Sequence, residues 1–370
     1  METMEAMNGV ERALLARARE QKAPVNGSIE LLPLCNMNCD MCYVRMSREE
    51  MEKQGRLRTL GEWTDLGRQM AEAGVLFLLL TGGEPLLYPD FKELYLALKN
   101  MGMILTINTN GTLIDEEWAD FFGRHKPRRV NITLYGADDR AYRELCHYPG
   151  GFEKTVNAVR LLRERGVDVK IGGSVTGRNA DDLERILAIG RELDVPVRMD
   201  TYMMPGVRER GRPFNEQARL SPEEAAGARI TALRQEMGPE LWAGYVEESL
   251  RRVRAGETSS RKVTCMGGNC SFTVNWQGEL RSCVVLTEPA APVFERGFQA
   301  AWQEVSARTA EILLNEKCAS CRLRPLCRTC AASALLETGS YDGVPDYMCR
   351  YAAESLRLME QEEKSRREKD

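Results

Sequence analysis

The sequence predicts an α/β fold, a parallel sheet wrapped by helices, followed by a small cysteine-rich appendage. Three observations carry this reading. Strand-like and helix-like patterns alternate from about residue 27 to residue 203. Polar, glycine-containing segments follow several of the strands. Eight of the twelve cysteines fall between residues 265 and 349. With 370 residues, 43% of them hydrophobic, the chain can form one large unit and a smaller attachment.

In chain order, residues 1–26 read as an N-terminal helical segment. Glu2, Glu5, Glu11, Arg12, Arg17 and Arg19 interrupt every apolar run there, which excludes the core of a signal peptide. Strands are expected over 28–34, 75–81, 103–109, 129–135, 168–175 and 196–203. Helices are expected near 59–73, 90–101, 115–123, 151–165 and 181–193, opened by capping-type residues such as Asp90, Asp115 and Asp181. Six strands with five intervening helices make a parallel sheet, because parallel neighbours need crossovers of this length. An open doubly wound sheet and a partial (β/α) barrel both fit the alternation.

In either architecture function gathers where the strands end. Thr81-Gly82-Gly83-Glu84-Pro85, Asn108-Thr109-Asn110-Gly111 and Leu134-Tyr135-Gly136 stand at such ends. Residues 204–264 read as a helical connector: a Pro/Gly/Arg-rich stretch over 205–213, then helical segments near 221–237 and 239–255. Residues 265–349 have few long apolar runs and are expected to depend on metal for their folding. Residues 350–370 read as a charged helix with a solvated face.

A net charge of −4, from 51 basic and 55 acidic residues interspersed along the chain, leaves no basic face for nucleic acid. The longest uniform apolar run, 75–80, is six residues, too short to cross a membrane. A cytoplasmic location is therefore expected. In a reducing compartment twelve cysteines point to metal or catalysis rather than disulfides. The only histidines are His125 and His147, so a metal site here must be almost all thiolate, which means iron–sulfur clusters or structural zinc.

The loop after the first strand reads Cys35-Asn36-Met37-Asn38-Cys39-Asp40-Met41-Cys42. Three thiolates on one short loop can hold three irons of a cubane and leave the fourth open to a ligand. This spacing, with an apolar residue (Met41) before the last cysteine, resembles the radical S-adenosylmethionine superfamily. Gly82-Gly83-Glu84-Pro85, at the end of strand two, resembles that family's second motif. The resemblance implies a partial (β/α)6 barrel, residues 27–203, in which the open iron chelates the amino and carboxylate groups of S-adenosylmethionine. Reductive cleavage would then give a 5′-deoxyadenosyl radical that abstracts hydrogen. It implies cofactor contacts at Met41, Gly82, Gly83, Glu84 and Pro85, the glycines letting the backbone approach the cofactor's amino group. By the same carry-over, Thr133 and Ser174 fall where relatives place hydroxyls near the ribose.

The later cysteines, Cys265, Cys270, Cys283, Cys318, Cys321, Cys327, Cys330 and Cys349, with Gly278 five residues before Cys283, resemble the SPASM extension found in peptide and sulfatase maturases. Cys327 and Cys330 are separated by two residues where the usual pattern has three. The resemblance implies that Cys265, Cys270, Cys283 and Cys330 bind one accessory 4Fe–4S cluster and Cys318, Cys321, Cys327 and Cys349 another. Three clusters in all would leave only Cys146 unassigned, as a buried or redox-idle thiol. Structural zinc is the competing use of the extension. Fully ligated accessory clusters would conduct electrons, which suits net oxidation of the substrate.

Members of this layout modify peptides or proteins. Val284 stands where sulfatase maturases carry an aspartate base, and Thr133-Leu134-Tyr135-Gly136 replaces their Ser-Leu-Asp-Gly. A thioether or carbon–carbon crosslink in a ribosomally made peptide is therefore the leading expectation. Formylglycine formation, peptide epimerisation and a non-catalytic iron–sulfur or zinc scaffold are the alternatives. Expected partners are the peptide substrate and an electron donor such as flavodoxin or ferredoxin; because about 26 residues before the first strand are too few for a recognition domain, either a separate leader-binding protein presents the peptide or the core grips it directly. Tyr43, Asp40, Tyr135, His147 and Tyr202 are candidate bases by position.

Overall fold

The computed structural model describes residues 9–204 and 218–368. The Pro/Gly/Arg-rich stretch 205–213 and the first eight residues, including Glu2 and Glu5, lie outside the described residues. A helix, Gly9–Gln21, leads into the sheet. Six strands follow, β1 Asn26–Glu30, β2 Phe77–Thr81, β3 Ile104–Thr109, β4 Arg129–Thr133, β5 Val169–Ser174 and β6 Val197–Asp200. Each pairs in parallel with the next. The order runs through without the reversal that defines a doubly wound sheet. The open choice is thereby resolved in favour of the partial barrel.

The two faces of the sheet differ in chemistry. Ile29, Leu80, Ile107, Ile132 and Ile171 are buried beneath the helices. Their neighbours alternate to the other face. There Thr106 pairs with Arg129, Asn108 with Asn131, Asn131 with Lys170, and Thr133 with Gly172. Asn131 Nδ2 donates to Asn108 Oδ1 at 2.8 Å. The barrel interior is therefore lined by polar side chains rather than filled by apolar ones, as a binding site requires. On the outside, helix Leu60–Glu72 packs on Phe91–Asn100, and Glu116–Arg124 on Gly151–Glu164. Edge-to-face rings of Phe91, Phe122, Tyr95 and Phe121 join the second and third of these.

The helix starts are only partly as expected. Asp115 caps its helix by accepting from Trp118 N–H. Asp90 makes no side-chain cap bond, because its backbone (φ −101°, ψ 33°) lies outside the extended region a cap needs. Asp181 lies inside a 3-10 turn, Ala180–Asp182, that precedes helix Leu183–Glu192. Within the barrel, two helices not anticipated from the pattern are Arg48–Gln54 and Asp139–Glu144. The first is opened by a capping box between Ser47 and Glu50.

The cysteine-rich extension begins inside the same sheet. Strand β7, Ser271–Val274, pairs in parallel with β1 on the side away from β2. Strands β8, Glu279–Arg281, and β9, Ala290–Pro292, continue antiparallel. Phe272 is buried against Phe298 and Trp302, at ring separations of 4.9 and 6.2 Å. Gly27 on β1 makes room for it: a Cβ there would lie 2.3 Å from the Phe272 ring. Burying one such side chain contributes about 2–3 kcal/mol, so this part of the extension is held by apolar packing as well as by its cysteines.

The connector helix, Pro222–Arg254, is broken at Gly238 (φ 74°, ψ 169°) before Pro239, where the sequence divides its two segments. It packs along the terminal helix Asp346–Arg367, which buries Met348, Tyr351, Ala352, Ser355 and Met359 and keeps its charged face outward. Among the described residues no helix is long and apolar enough to cross a membrane.

Candidate functional site

Beyond β1 the chain continues beside the end of β2. Leu31 N–H donates to Thr81 O at 2.9 Å, Gly83 N–H to Leu32 O at 2.7 Å and Glu84 N–H to Leu34 O at 2.9 Å. This ladder delivers Cys35 next to the Gly82–Pro85 segment. The two glycines have a local reason. Gly82 sits at φ 146°, and a Cβ on it would lie 2.5 Å from Leu32 O. At Gly83 a Cβ would lie 2.3 Å from Leu34 O and 2.8 Å from Pro33 O. The obstacles are backbone atoms, which cannot rotate aside. Gly83→Ala is expected to cost about 3 kcal/mol, the upper end for overpacking, and to lower the iron held by the adjacent loop. Denaturant unfolding together with iron analysis checks both.

Glu84 ties the ends of two strands together. Its buried carboxylate accepts from Thr109 Oγ1 at 2.7 Å, Asn110 N at 2.8 Å and Leu86 N at 3.1 Å. Burial pushes the carboxyl up to about 7, against the pull of these three donors. Asn110 in turn donates from Nδ2 to Asn36 Oδ1 at 2.8 Å and faces Cys35 Sγ at 3.7 Å. The sequence marks Asn108–Gly111 as a strand end but offers no signal that Asn110 grips the cysteine loop. Pro85 opens a short 3-10 turn, and Met41 is half-buried against the main core. Thr133 and Ser174 are half-buried at the ends of β4 and β5.

The loop fits an iron–sulfur cluster by the chemistry of its donors. Met37 N–H points to Cys35 Sγ at 3.4 Å and Arg45 N–H to Cys42 Sγ at 3.3 Å. Such N–H donors stabilise metal-bound thiolates. Burial pushes the Cys35 thiol up to about 12 and the Cys42 thiol up to about 11.

The five candidate bases separate by surroundings. Asp40 Oδ1 lies 2.7 Å from His147 Nε2, and Arg178 Nε lies 3.3 Å from Asp40 Oδ2. These side chains come from the loops beyond β1, β4 and β5. The pair combines a partly exposed imidazole with an orienting carboxylate, as a general base needs. Tyr202 donates to Glu337 Oε1 at 2.9 Å. Tyr43 is exposed. Tyr135 is half-buried, with its ring edge-on to Tyr142. Cys146 is buried as expected but not isolated: its backbone carbonyl accepts from Asn38 N–H at 3.0 Å. Nothing in the spacing of the cysteine loop and Cys146 announces that contact.

In the extension the cysteines gather into two neighbourhoods. The charge of Cys265 is felt with those of Cys283 and Cys330, and Cys270 lies near Cys265. Cys318 and Cys349 each neighbour Cys321 and Cys327. Cys330 is the N-cap of helix Ala331–Thr338 and accepts from Ser333 N–H at 3.5 Å. Among the described residues no three or more His, Cys, Asp or Glu side chains converge closely enough to hold a single metal ion.

The family model described as the Radical SAM superfamily matches residues 29–189. The chain is 24% identical over 328 residues to the AdoMet-dependent heme synthase of Methanosarcina barkeri, covering 84% of this chain and 92% of that protein. It is likewise 24% identical over 328 residues to the PqqA peptide cyclase of Rhizobium meliloti, covering 83% and 82%. The fold is similar to that of Streptococcus suis SuiB bound to the precursor peptide SuiA, with a TM-score of 0.65 at 17% identity over 93% of this chain and 82% of that one.

Proposed function

Residues 29–189 form a radical S-adenosylmethionine domain, and from that premise we propose that the chain is a peptide-modifying oxidoreductase with two accessory clusters. The observation that carries this is the pairing of β7 with β1. It joins the cysteine-rich extension to the strand whose loop holds Cys35, Cys39 and Cys42, so that the two regions form one frame.

In this reading Cys35, Cys39 and Cys42 bind the radical cluster. S-adenosylmethionine at its open iron supplies the hydrogen-abstracting 5′-deoxyadenosyl group. Met41, Gly82, Gly83, Glu84, Pro85, Thr133 and Ser174 border that cofactor at the strand ends. Cys265, Cys270, Cys283 and Cys330 hold one accessory 4Fe–4S cluster, and Cys318, Cys321, Cys327 and Cys349 the other. The domains are the barrel over 27–203, the connector over 204–264 and the extension over 265–349, with helical segments over 1–26 and 350–370. The polar barrel interior receives a peptide. The Asp40–His147 pair would take the substrate proton, and the accessory clusters, when bound, would supply an acceptor for the remaining electron. A flavodoxin or ferredoxin supplies the reducing electron, and a separate protein presents the leader.

The anaerobically reconstituted protein is expected to hold about twelve irons. Co-expressed with its cognate peptide, it should yield a crosslinked product lighter by a pair of hydrogens, read by mass spectrometry. A peptide of unchanged mass would make it an epimerase, and a sulfatase Cys or Ser converted to an aldehyde would make it a maturase. Conversion of a haem precursor, with peptides untouched, would establish the second reading, which the heme synthase relative carries.

A further inference from the structure

The extension departs from its usual cysteine pattern at Cys327-Arg328-Thr329-Cys330, where two residues stand in place of three. In the proposed ligand sets Cys327 and Cys330 serve different clusters, so this turn is the shortest covalent link between them. Its two intervening residues point to different partners. Arg328 Nη1 reaches Asp200 Oδ1 on β6 at 3.3 Å. Thr329 turns inward: it is 4% exposed, and its Oγ1 lies 3.1 Å from Cys327 Sγ. The fold holds this contact from both sides. Arg324 Nη1 donates to Thr329 O at 2.9 Å, while Arg324 Nε donates to Ser259 Oγ at 2.8 Å. Cys327 N–H donates to Leu323 O at 3.0 Å, and Cys330 N–H to Ser333 Oγ at 2.9 Å. The turn is therefore shaped by hydrogen bonds that do not involve its thiols.

We propose that Thr329 is a positioning residue whose hydroxyl donates to the Cys327 thiolate and raises the reduction potential of the accessory cluster held by Cys318, Cys321, Cys327 and Cys349. In the free thiol either atom of the pair can donate. Once Cys327 is ligated as thiolate, the hydroxyl is the donor of the two. Donors to a cluster sulfur withdraw negative charge, and the reduced cluster, which carries one more electron, gains more from them than the oxidised one. At Cys330 the donor is Ser333 N–H, a backbone group that no side-chain substitution removes. At Cys327 it is a side chain, so here the sequence can adjust the potential.

The inference rests on the accessory-cluster reading, and its test separates the two. Reconstituted protein is titrated under EPR, the cluster in question being the signal that ignores added S-adenosylmethionine and is lost when Cys318→Ala is combined with Cys349→Ala. In Thr329→Val the fraction of that cluster reduced at a fixed potential is expected to fall about threefold, a part of the strength of one charge-assisted hydrogen bond. Thr329→Ser, which keeps the hydroxyl, should stay near the parent. An unchanged potential in Thr329→Val at full iron content overturns the proposal, as does an equal fall in Thr329→Ser. Loss of iron from Thr329→Val also overturns it, since the residue would then shape the turn rather than tune the cluster. A matching shift in the signal that does respond to S-adenosylmethionine would mark a general disturbance and overturn it too. If the parent protein shows no signal of the kind lost with Cys318 and Cys349, the accessory-cluster reading itself falls, and the proposal with it.

Discussion

Replacing Cys35, Cys39 and Cys42 together with Ala is expected to remove about four irons from the reconstituted protein and to abolish cleavage of S-adenosylmethionine. In the proposed reading these thiolates are the protein's covalent hold on the radical cluster, and the open iron goes with them. The strands around the loop should survive. The ladder from Leu31 to Glu84 runs between backbone groups, and the Glu84 carboxylate is anchored by Thr109, Asn110 and Leu86 rather than by a cysteine. Circular dichroism should therefore match the parent while 5′-deoxyadenosine is absent from the reaction. Production of that nucleoside by the triple variant would show that the radical site lies elsewhere.

The second large effect is on stability. Arg219 and Glu337 form an ion pair whose side chains are only 4% and 9% exposed. The guanidinium lies 3.6 Å from the centroid of the Tyr347 ring and 5.2 Å from that of Tyr202. Tyr202 follows β6, Glu337 lies on the helix capped by Cys330, and Tyr347 is two residues from Cys349. One buried charge pair thus joins the barrel's last strand to both cysteine neighbourhoods. Glu337→Ala leaves the arginine charge buried without its carboxylate, at a cost of about 3–5 kcal/mol. Arg219→Met combined with Glu337→Leu removes both charges and should recover most of that loss. Denaturant unfolding of the single and double variants makes the comparison. A cost below about 1 kcal/mol for Glu337→Ala would mean that the pair behaves as a solvated surface contact.

Much of the architecture was legible because it is local. Six strands and five helices follow from apolar periodicity, and the break at Gly238 follows from a glycine before a proline inside a helical pattern. Helix Arg48–Gln54 was not anticipated, although the Ser47-x-x-Glu50 capping box that opens it stands in the sequence. Asp90 shows the opposite failure: a capping residue type in the right place whose backbone does not adopt the capping conformation.

The sequence by itself determined the chemistry available to this protein. The spacing of Cys35, Cys39 and Cys42 puts three thiolates on one loop whatever surrounds it, since the constraint acts over eight residues. Only the tertiary structure decided what those thiolates meet. Ser28 and Thr273, 245 residues apart, share a hydrogen bond because β7 found the free edge of β1. Cys146 reached the cysteine loop because backbone hydrogen bonds from Asn38 and Asp40 clamp one loop to another. Asp40, His147 and Arg178 met because three strand ends converge. Propensity and periodicity reach a few residues along the chain, whereas which strand closes on which edge depends on burying Phe272 and Val274 in a shared core.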